Sequence, residues 1–262
     1  MEILLWIAFF VVGILAGIVG GLLGLSGGVV TIPCLVLLLN LIDFPQTFLM
    51  HTAMGTSLAA MVLTGIATTW AHAKQKGVVW DIVVAMVPGL IMGCLLGAFV
   101  AHFLSGIILK MIFGAFLCLI GAAMLLKKDK RKQTARPDKT LYTWIGLGIG
   151  GLSSLLGLGG GILIVPLLLS YRYSEKQSIG TAAASGTLIS LLAAIAFMYF
   201  GLNEVNLEGS IGYVYLPAFI AIGFGTVIFA PIGTKLAHQA TGKKLRRIFA
   251  AVLIMIGILM VF

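Results

Sequence analysis

The chain has 262 residues, of which 60% are hydrophobic and only 10% are charged, and its mean hydropathy is +1.15. Soluble domains carry about 25% charged residues, so this composition excludes a soluble globular domain. The formal net charge of +9 does not indicate nucleic-acid binding, because the lysines and arginines fall between apolar segments, where they set membrane topology. We therefore predict a protein whose partner is the lipid bilayer and not nucleic acid.

Apolar segments follow one another along almost the whole chain. A helix of about 20 apolar residues crosses the hydrocarbon core of a bilayer. The longer apolar runs are 3–23, 52–71, 82–103, 106–126, 179–200, 211–232 and 248–262. Shorter apolar pieces lie at 29–42, 141–156 and 162–171. This pattern predicts an all-α, multi-pass membrane protein.

Two glycine-rich turns interrupt the apolar sequence at matching places in the two halves. The first, at 20–33, reads GGLLGLSGGVVTIP, and the second, at 153–166, reads SSLLGLGGGILIVP. Paired glycine and proline interruptions at corresponding positions of two repeats indicate the substrate site of a transporter. The two turns are therefore the first candidates for a functional site.

The repeat continues beyond the turns in the same order. Gly55-Thr56 matches Gly180-Thr181, Gly97 matches Gly233, and Pro88 is paired with Pro217. A series of matches in order indicates two copies of one unit. We predict a first membrane repeat, a basic cytoplasmic linker and a second membrane repeat, at 1–126, 127–140 and 141–262.

The distribution of basic residues indicates how the copies are oriented. If each glycine turn reverses the chain into a re-entrant hairpin, all of the 17 lysines and arginines except Lys110 fall on one face, in the loops at 74–80, 127–140, 172–178 and 235–247. The positive-inside rule favours this arrangement. Each half then contains a hairpin and three transmembrane helices, an odd number of crossings, so the two repeats are inverted. Three of the four hairpin arms are too short to cross the bilayer, so the turns should meet inside the membrane.

Glycine turns of this kind suit an anion. Each turn opens a helix, whose N-terminus presents unpaired N–H groups and the positive end of the helix dipole. Glycine lets a small oxyanion approach the backbone, and nearby hydroxyls add donors. The alternative is that the glycines serve only close helix packing. The candidate substrate-binding residues are Ser26, Gly27, Gly28, Thr31, Gly55, Thr56, Ser57, Gly159, Gly160, Gly161, Thr181 and Ser185.

Other kinds of site find little support in the sequence. No acidic residue lies well inside an apolar run, which argues against a metal-cation transporter and against an intramembrane protease. The cysteines are isolated, with no CxxC pair. We expect no catalytic residue, no metal and no cofactor. His51, five residues before Thr56, is a candidate for proton coupling or gating.

The chain resembles a known family of bacterial membrane proteins. The segment 151–166, of the form G-x-L-S-S-L-L-G-L-G-G-G-x-L-x-V-P, is similar to the signature of the TauE/SafE sulfite exporter family. The segments 51–58, 71–80, 180–182 and 236–250 also fit, so the resemblance covers nearly the whole chain. It implies export of small sulfur-containing anions such as sulfite or sulfonates. Ala182 departs from the family, which commonly has serine there, so the resemblance leaves the substrate open.

Several functions follow from these observations. The first is a secondary transporter of small sulfur-containing anions in the inner (plasma) membrane, acting as an exporter. The second is an anion channel built from the same opposed hairpins. The third is a membrane assembly subunit that moves no ion. The choice of sulfur anion, the direction, the coupling ion and the oligomeric state stay open at this point.

The inverted arrangement places both termini outside the cell and the 127–140 linker in the cytoplasm. In a variant without the native cysteines, we expect an impermeant thiol reagent to label Asn206→Cys on intact cells and to label Gln133→Cys only after lysis. The reverse pattern would reject the inverted arrangement.

Overall fold

The computed structural model describes residues 2–23, 27–126, 137–205, 208–239 and 242–261. The first half forms α1 (Glu2–Leu23), α2 (Gly28–Asn40), α3 (Gln46–Lys74), α4 (Trp80–Phe103) and α5 (Gly106–Leu126). The second half forms α6 (Lys139–Leu155), α7 (Gly161–Ser170), α8 (Glu175–Gly201), the strands β1 (Ser210–Ile211) and β2 (Val214–Tyr215), α9 (Leu216–Gln239) and α10 (Gly242–Val261). The predicted all-α class is confirmed. Most of the predicted linker lies outside the described residues.

Helix lengths agree with a multi-pass membrane protein. Within the described ranges, six helices are long and apolar enough to cross a bilayer, namely those of α1, α3, α4, α5, α8 and α9. The apolar helices α2 and α7 are too short to do so. Large apolar side chains on the outer helices are exposed, among them Leu4, Leu119 and Leu126, as expected of a surface that faces lipid.

One predicted helix begins in the wrong place. The apolar run 211–232 does not start a helix at 211, because residues 210–215 form an antiparallel hairpin in which Ser210 pairs with Tyr215. Gly209 and Gly212 have φ of 82° and 55°, values that a right-handed helix excludes. Pro217 is the second residue of α9, whereas Pro88 lies well inside α4, so these two prolines do not correspond.

The packing of the two halves is reciprocal. The helix α1 packs along α9, and their counterparts in the other half, α6 and α4, pack along each other. The helices α3 and α8 pack on each other, as do α5 and α10. Exchanging each helix for its counterpart in the other half turns one contact into another of the same set. This is the arrangement expected of two copies around a pseudo-twofold axis, while the inverted orientation of the copies stays a prediction.

Glycines allow the paired helices to approach closely. A β-carbon on Gly93 would meet the carbonyl oxygen of Leu147 and would lie 2.8 Å from the amide nitrogen of Gly151. Between α1 and α9, a β-carbon on Gly17 would lie 2.9 Å from the carbonyl oxygen of Thr226. Small residues at helix interfaces in membranes permit such contacts. Packing is therefore a sufficient reason for these isolated glycines.

The packing role can be tested with two glycines of the same pair of helices. Gly93→Ala should lower the thermal unfolding temperature of the purified protein, because the added methyl group pushes α4 away from α6. Gly148→Ala is the matched control, since no atom lies within 4 Å of the added carbon. That change should be neutral, or stabilising by up to about 1 kcal/mol through helix propensity. Equal unfolding temperatures for both variants would show that the backbone contact at Gly93 is unimportant.

Candidate functional site

The two glycine turns contact each other. A β-carbon placed on Gly28, the first residue of α2, would lie 3.1 Å from the carbonyl oxygen of Gly157 and 3.2 Å from the Leu158 side chain. A β-carbon on Gly157 would lie 2.9 Å from the Cδ1 atom of Ile32. The structure therefore brings together two turns that are more than a hundred residues apart in the sequence.

The turns open their helices in different ways. Each helix begins one residue earlier than its apolar run, at Gly28 and Gly161, and neither has a side-chain N-cap. Gly160 has φ of 74° and Gly157 has φ of 68°, in the left-handed region that glycine tolerates. Gly27, which precedes α2, has φ of −60°, so the backbone conformation before α2 differs from that before α7. The first N–H groups of a helix have no partner within that helix, so both turns present backbone donors.

One face of α3 lies against the junction of the turns. The side chain of Met54 contacts Gly157, and the side chain of Met61 contacts Gly28. Ser57 lies between these two methionines in the sequence and falls on the same face, since three and four residues separate it from them. Ser57 is fully buried, and its hydroxyl has no hydrogen-bond partner in the described part of the chain.

One face of α8 lies against the second turn. A β-carbon on Gly186 would meet the carbonyl oxygen of Gly159, and the Ile189 side chain reaches Gly160. Ser185 lies next to Gly186 and one helical turn before Ile189. Ser185 is also fully buried, and no described residue bonds its hydroxyl.

A third buried hydroxyl comes from the end of α6. The hydroxyl of Ser153 lies 3.3 Å from the position of a β-carbon on Gly160 and has no partner among the described residues. Ser153 is not among the site residues predicted from the sequence, where it only begins the second glycine motif. The signal available in the sequence was its position one helical turn before Gly157, which puts its side chain near the turn.

The three hydroxyls make this junction chemically unusual. Leaving a buried polar group without a partner costs about 1–3 kcal/mol, so such a group calls for an explanation such as a bound ligand or an ordered water. Ser57, Ser153 and Ser185 can each donate one hydrogen bond. Together with the N–H groups at the start of α7 they are neutral donors of a kind that can bind a small oxyanion.

The two Gly-Thr pairs have equivalent contacts with the opposite half. Thr56 Oγ1 accepts a hydrogen bond of 2.9 Å from the N–H of Tyr215, just before α9. Thr181 Oγ1 accepts one of 3.0 Å from the N–H of Val79, just before α4. The neighbouring Gly55 and Gly180 face the carbonyl oxygens of Tyr213 and Gly77. Each pair therefore anchors the loop that precedes the fourth helix of the other half.

The remaining predicted site residues are placed as follows. Thr31 donates its hydroxyl proton to the carbonyl oxygen of Gly27, four residues back in its own helix, at 3.0 Å. That proton is therefore used within α2. Ser26 lies outside the described residues. His51 stacks its ring on Tyr213, the hairpin residue whose carbonyl oxygen faces Gly55.

A cavity borders the loop before α4, which Thr181 anchors through Val79. Its volume is about 240 Å³, and its lining includes Val79, Lys139, Tyr173 and Gln177. Gln177, Thr181 and Ser185 follow one another at four-residue spacing on α8. A row of polar side chains on one side of α8 thus leads from this cavity to the second glycine turn.

Comparison with known proteins identifies related membrane proteins. Residues 9–260 match the family described as Sulfite exporter TauE/SafE. A probable membrane transporter protein of Haemophilus influenzae is 35% identical over 94% of each chain. A protein of the same description from Methanocaldococcus jannaschii is 29% identical, and the match covers 95% of this chain and 93% of that protein. Another from Bacillus subtilis is 27% identical, and the match covers 98% of this chain and 97% of that protein. No solved structure matches the chain significantly.

The threonine anchors predict a loss of stability that is equal in both halves. Thr56→Val and Thr181→Val keep the side-chain shape but leave a backbone N–H without an acceptor, so each should destabilise the protein by about 1–3 kcal/mol. Thermal unfolding in detergent measures this effect. Thr56→Ser and Thr181→Ser, which keep the hydroxyl, are the controls and should unfold close to wild type. Valine variants as stable as the serine variants would show that the loops do not depend on these bonds.

Proposed function

Because the chain belongs to the Sulfite exporter TauE/SafE family, we propose that this multi-pass membrane transporter is a secondary carrier that exports small sulfur-containing anions, such as sulfite or organosulfonates, across the inner (plasma) membrane. The observation that carries the proposal is the set of buried hydroxyls without partners around the second glycine turn, from Ser57, Ser153 and Ser185. Their chemistry points to an acceptor-rich ligand.

The donors are hydroxyl and backbone N–H groups, none of which carries a full positive charge. Such donors suit an oxyanion that has to be released again. The oxygens of sulfite or a sulfonate accept hydrogen bonds from hydroxyls and from the N–H groups that begin α7 and α2. The positive ends of these helix dipoles stabilise the negative charge by a fraction of a full ion pair. A fixed lysine or arginine would hold the anion more tightly and would slow its release. Weak, multiple donors are therefore suited to a site that must bind and release in each cycle.

The two threonine-anchored loops favour a carrier. In our proposal the anion enters from the cavity beside Val79, passes the polar side of α8 and binds at the junction of the turns. The loop at 77–79 closes one side of the site, and the β1–β2 hairpin closes the other. Opening one loop at a time gives alternating access. An anion channel built from the same parts is the alternative, and it requires both loops to open together.

Replacing the three serines by alanine should separate binding from stability. Ser57→Ala, Ser153→Ala and Ser185→Ala each remove a donor to a charged ligand, which is worth about 1.5–3 kcal/mol, so sulfite affinity should fall about 10- to 100-fold. The same changes remove an unpaired buried group and should leave the unfolding temperature unchanged or raised. Calorimetry with the purified protein, against sulfite, thiosulfate, sulfate and sulfoacetate, measures the affinity.

Ser154 provides the matched control. It adjoins Ser153 and is equally buried, but its hydroxyl donates to the carbonyl oxygen of Cys94 at 2.9 Å. Ser154→Ala should therefore lower stability by about 1 kcal/mol and leave the affinity as it is. Unchanged affinity for every tested anion in all three site variants would reject the proposed site. In liposomes, counterflow and saturation identify a carrier, conductance identifies a channel, and the absence of any flux favours an assembly subunit.

A further inference from the structure

The β1–β2 hairpin is inserted between helices. Tyr213, in the turn of the hairpin, is only 2% exposed. Its carbonyl oxygen faces Gly55 of α3, and its N–H donates to the carbonyl oxygen of Phe197 in α8 at 3.3 Å. The next residues lead to the bond between Tyr215 and Thr56. The hairpin is therefore a plug held against α3 and α8 at the level of Gly55 and Thr56, which precede Ser57 in the sequence.

A histidine is buried beneath this plug. His51 of α3 is 3% exposed, and its Nε2 atom lies 3.0 Å from the carbonyl oxygen of Ala101 and 3.1 Å from that of Leu104, at the end of α4. Two carbonyl acceptors require that Nε2 carries a hydrogen. The other ring nitrogen, Nδ1, is buried and has no partner in the described residues. The ring stacks on Tyr213 with centroids 5.0 Å apart.

We propose that His51 is a proton-binding site and that a proton on Nδ1 releases the β1–β2 hairpin. Protonation would create a buried imidazolium whose hydrogen-bond acceptors, among them the backbone of Thr47, carry no charge, and burying a charge without a counter-charge is strongly unfavourable. Water reaches Nδ1 when the hairpin lifts from α3. Protonation therefore favours the lifted hairpin, and loss of the proton favours the closed one. Proton control of anion movement rests on the proposed function, but the movement of the hairpin does not.

The groups that face His51 provide no counter-charge. From α4, His102 acts on it electrostatically, and its Nδ1 atom lies 3.0 Å from the hydroxyl of Tyr213. Burial, with a smaller contribution from the charge of Glu204, raises the pKa of Tyr213 to about 12, so the phenol stays neutral at physiological pH. The other charged groups on the described residues at this end of α3 are Asp43 and Glu208, which are both exposed, and Lys110 of α5. Proton uptake at His51 is thus not balanced by a neighbouring carboxylate in the closed plug.

Accessibility of Thr52 measures the position of the hairpin without transport. Thr52 is fully buried one helical turn before Thr56, and its hydroxyl is unbonded among the described residues, so cysteine is a mild replacement. In a protein without Cys34, Cys94 and Cys118, we compare the rate at which a thiol reagent modifies Thr52→Cys with its rate at the exposed Asn203→Cys. This ratio cancels the effect of pH on the thiol reaction. It should rise about tenfold from pH 7.5 to 5.5, as protonation of a hydrated histidine with a pKa of about 6.5 requires.

Variants assign the effect to one histidine. His51→Gln keeps an N–H donor for α4 but takes up no proton, so the ratio should no longer depend on pH. His72→Gln, at the far end of the same helix, is the matched control and should keep the tenfold rise. A ratio independent of pH in the protein with intact histidines, or a pH response that survives His51→Gln, overturns the proposal. If His51→Gln fails to fold, His102→Gln decides: a retained rise supports His51, and a lost rise assigns the proton to His102. A normal pH response in a protein that moves no anion would reject the proposed function alone.

Discussion

The constraint on which the structure depends is that irregular backbone inside a membrane must be buried in protein or line a hydrated cavity. Two glycine turns break the helices of this chain, and neither has a side-chain cap. The fold covers each turn with the other: Gly28 faces Gly157, and methionines of α3 close the junction. The reciprocal packing of α1 on α9 and of α4 on α6 brings the two turns to this junction.

Close backbone approach then determines which side chains face the junction. With glycine at positions 157, 159 and 160, the helices α3 and α8 come near enough for their serines to surround the turn. The hydroxyls of Ser57, Ser153 and Ser185 stay without a partner there, whereas the adjacent Ser154 is bonded to the backbone of α4. The bond of Ser154 shows that a buried serine in this region can find a backbone acceptor. Three of the buried hydroxyls without a partner among the described residues lie around this junction, and in the proposed function ligand binding offsets their cost in stability.

The same principle connects the site to its two sides. Each Gly-Thr pair lets a loop of the opposite half enter and bonds it through the threonine hydroxyl, so the halves close on each other symmetrically. The plugs themselves differ. The loop before α4 is short, whereas the one before α9 is a hairpin whose tyrosine lies on a buried histidine. In the proposed carrier, equivalent anchors on unequal loops would give the two sides of the membrane different chemistry for opening.

The sequence by itself determined the membrane class, the repeat and the two turns, because hydropathy and glycine spacing are local properties of the chain. It also made Ser57 and Ser185 candidates, and both are buried with hydroxyls that have no partner among the described residues. It failed at the start of α9, since an apolar run alone does not distinguish a helix from a hairpin that two glycines with positive φ impose. Only the tertiary structure decided that Ser153 faces the turn, that Thr56 and Thr181 hold loops, that Thr31 bonds its own helix and that His51 lies under Tyr213. Except for the local bond of Thr31, each of these depends on which backbone groups of distant segments lie within reach of a hydroxyl or a ring, and sequence spacing does not report that.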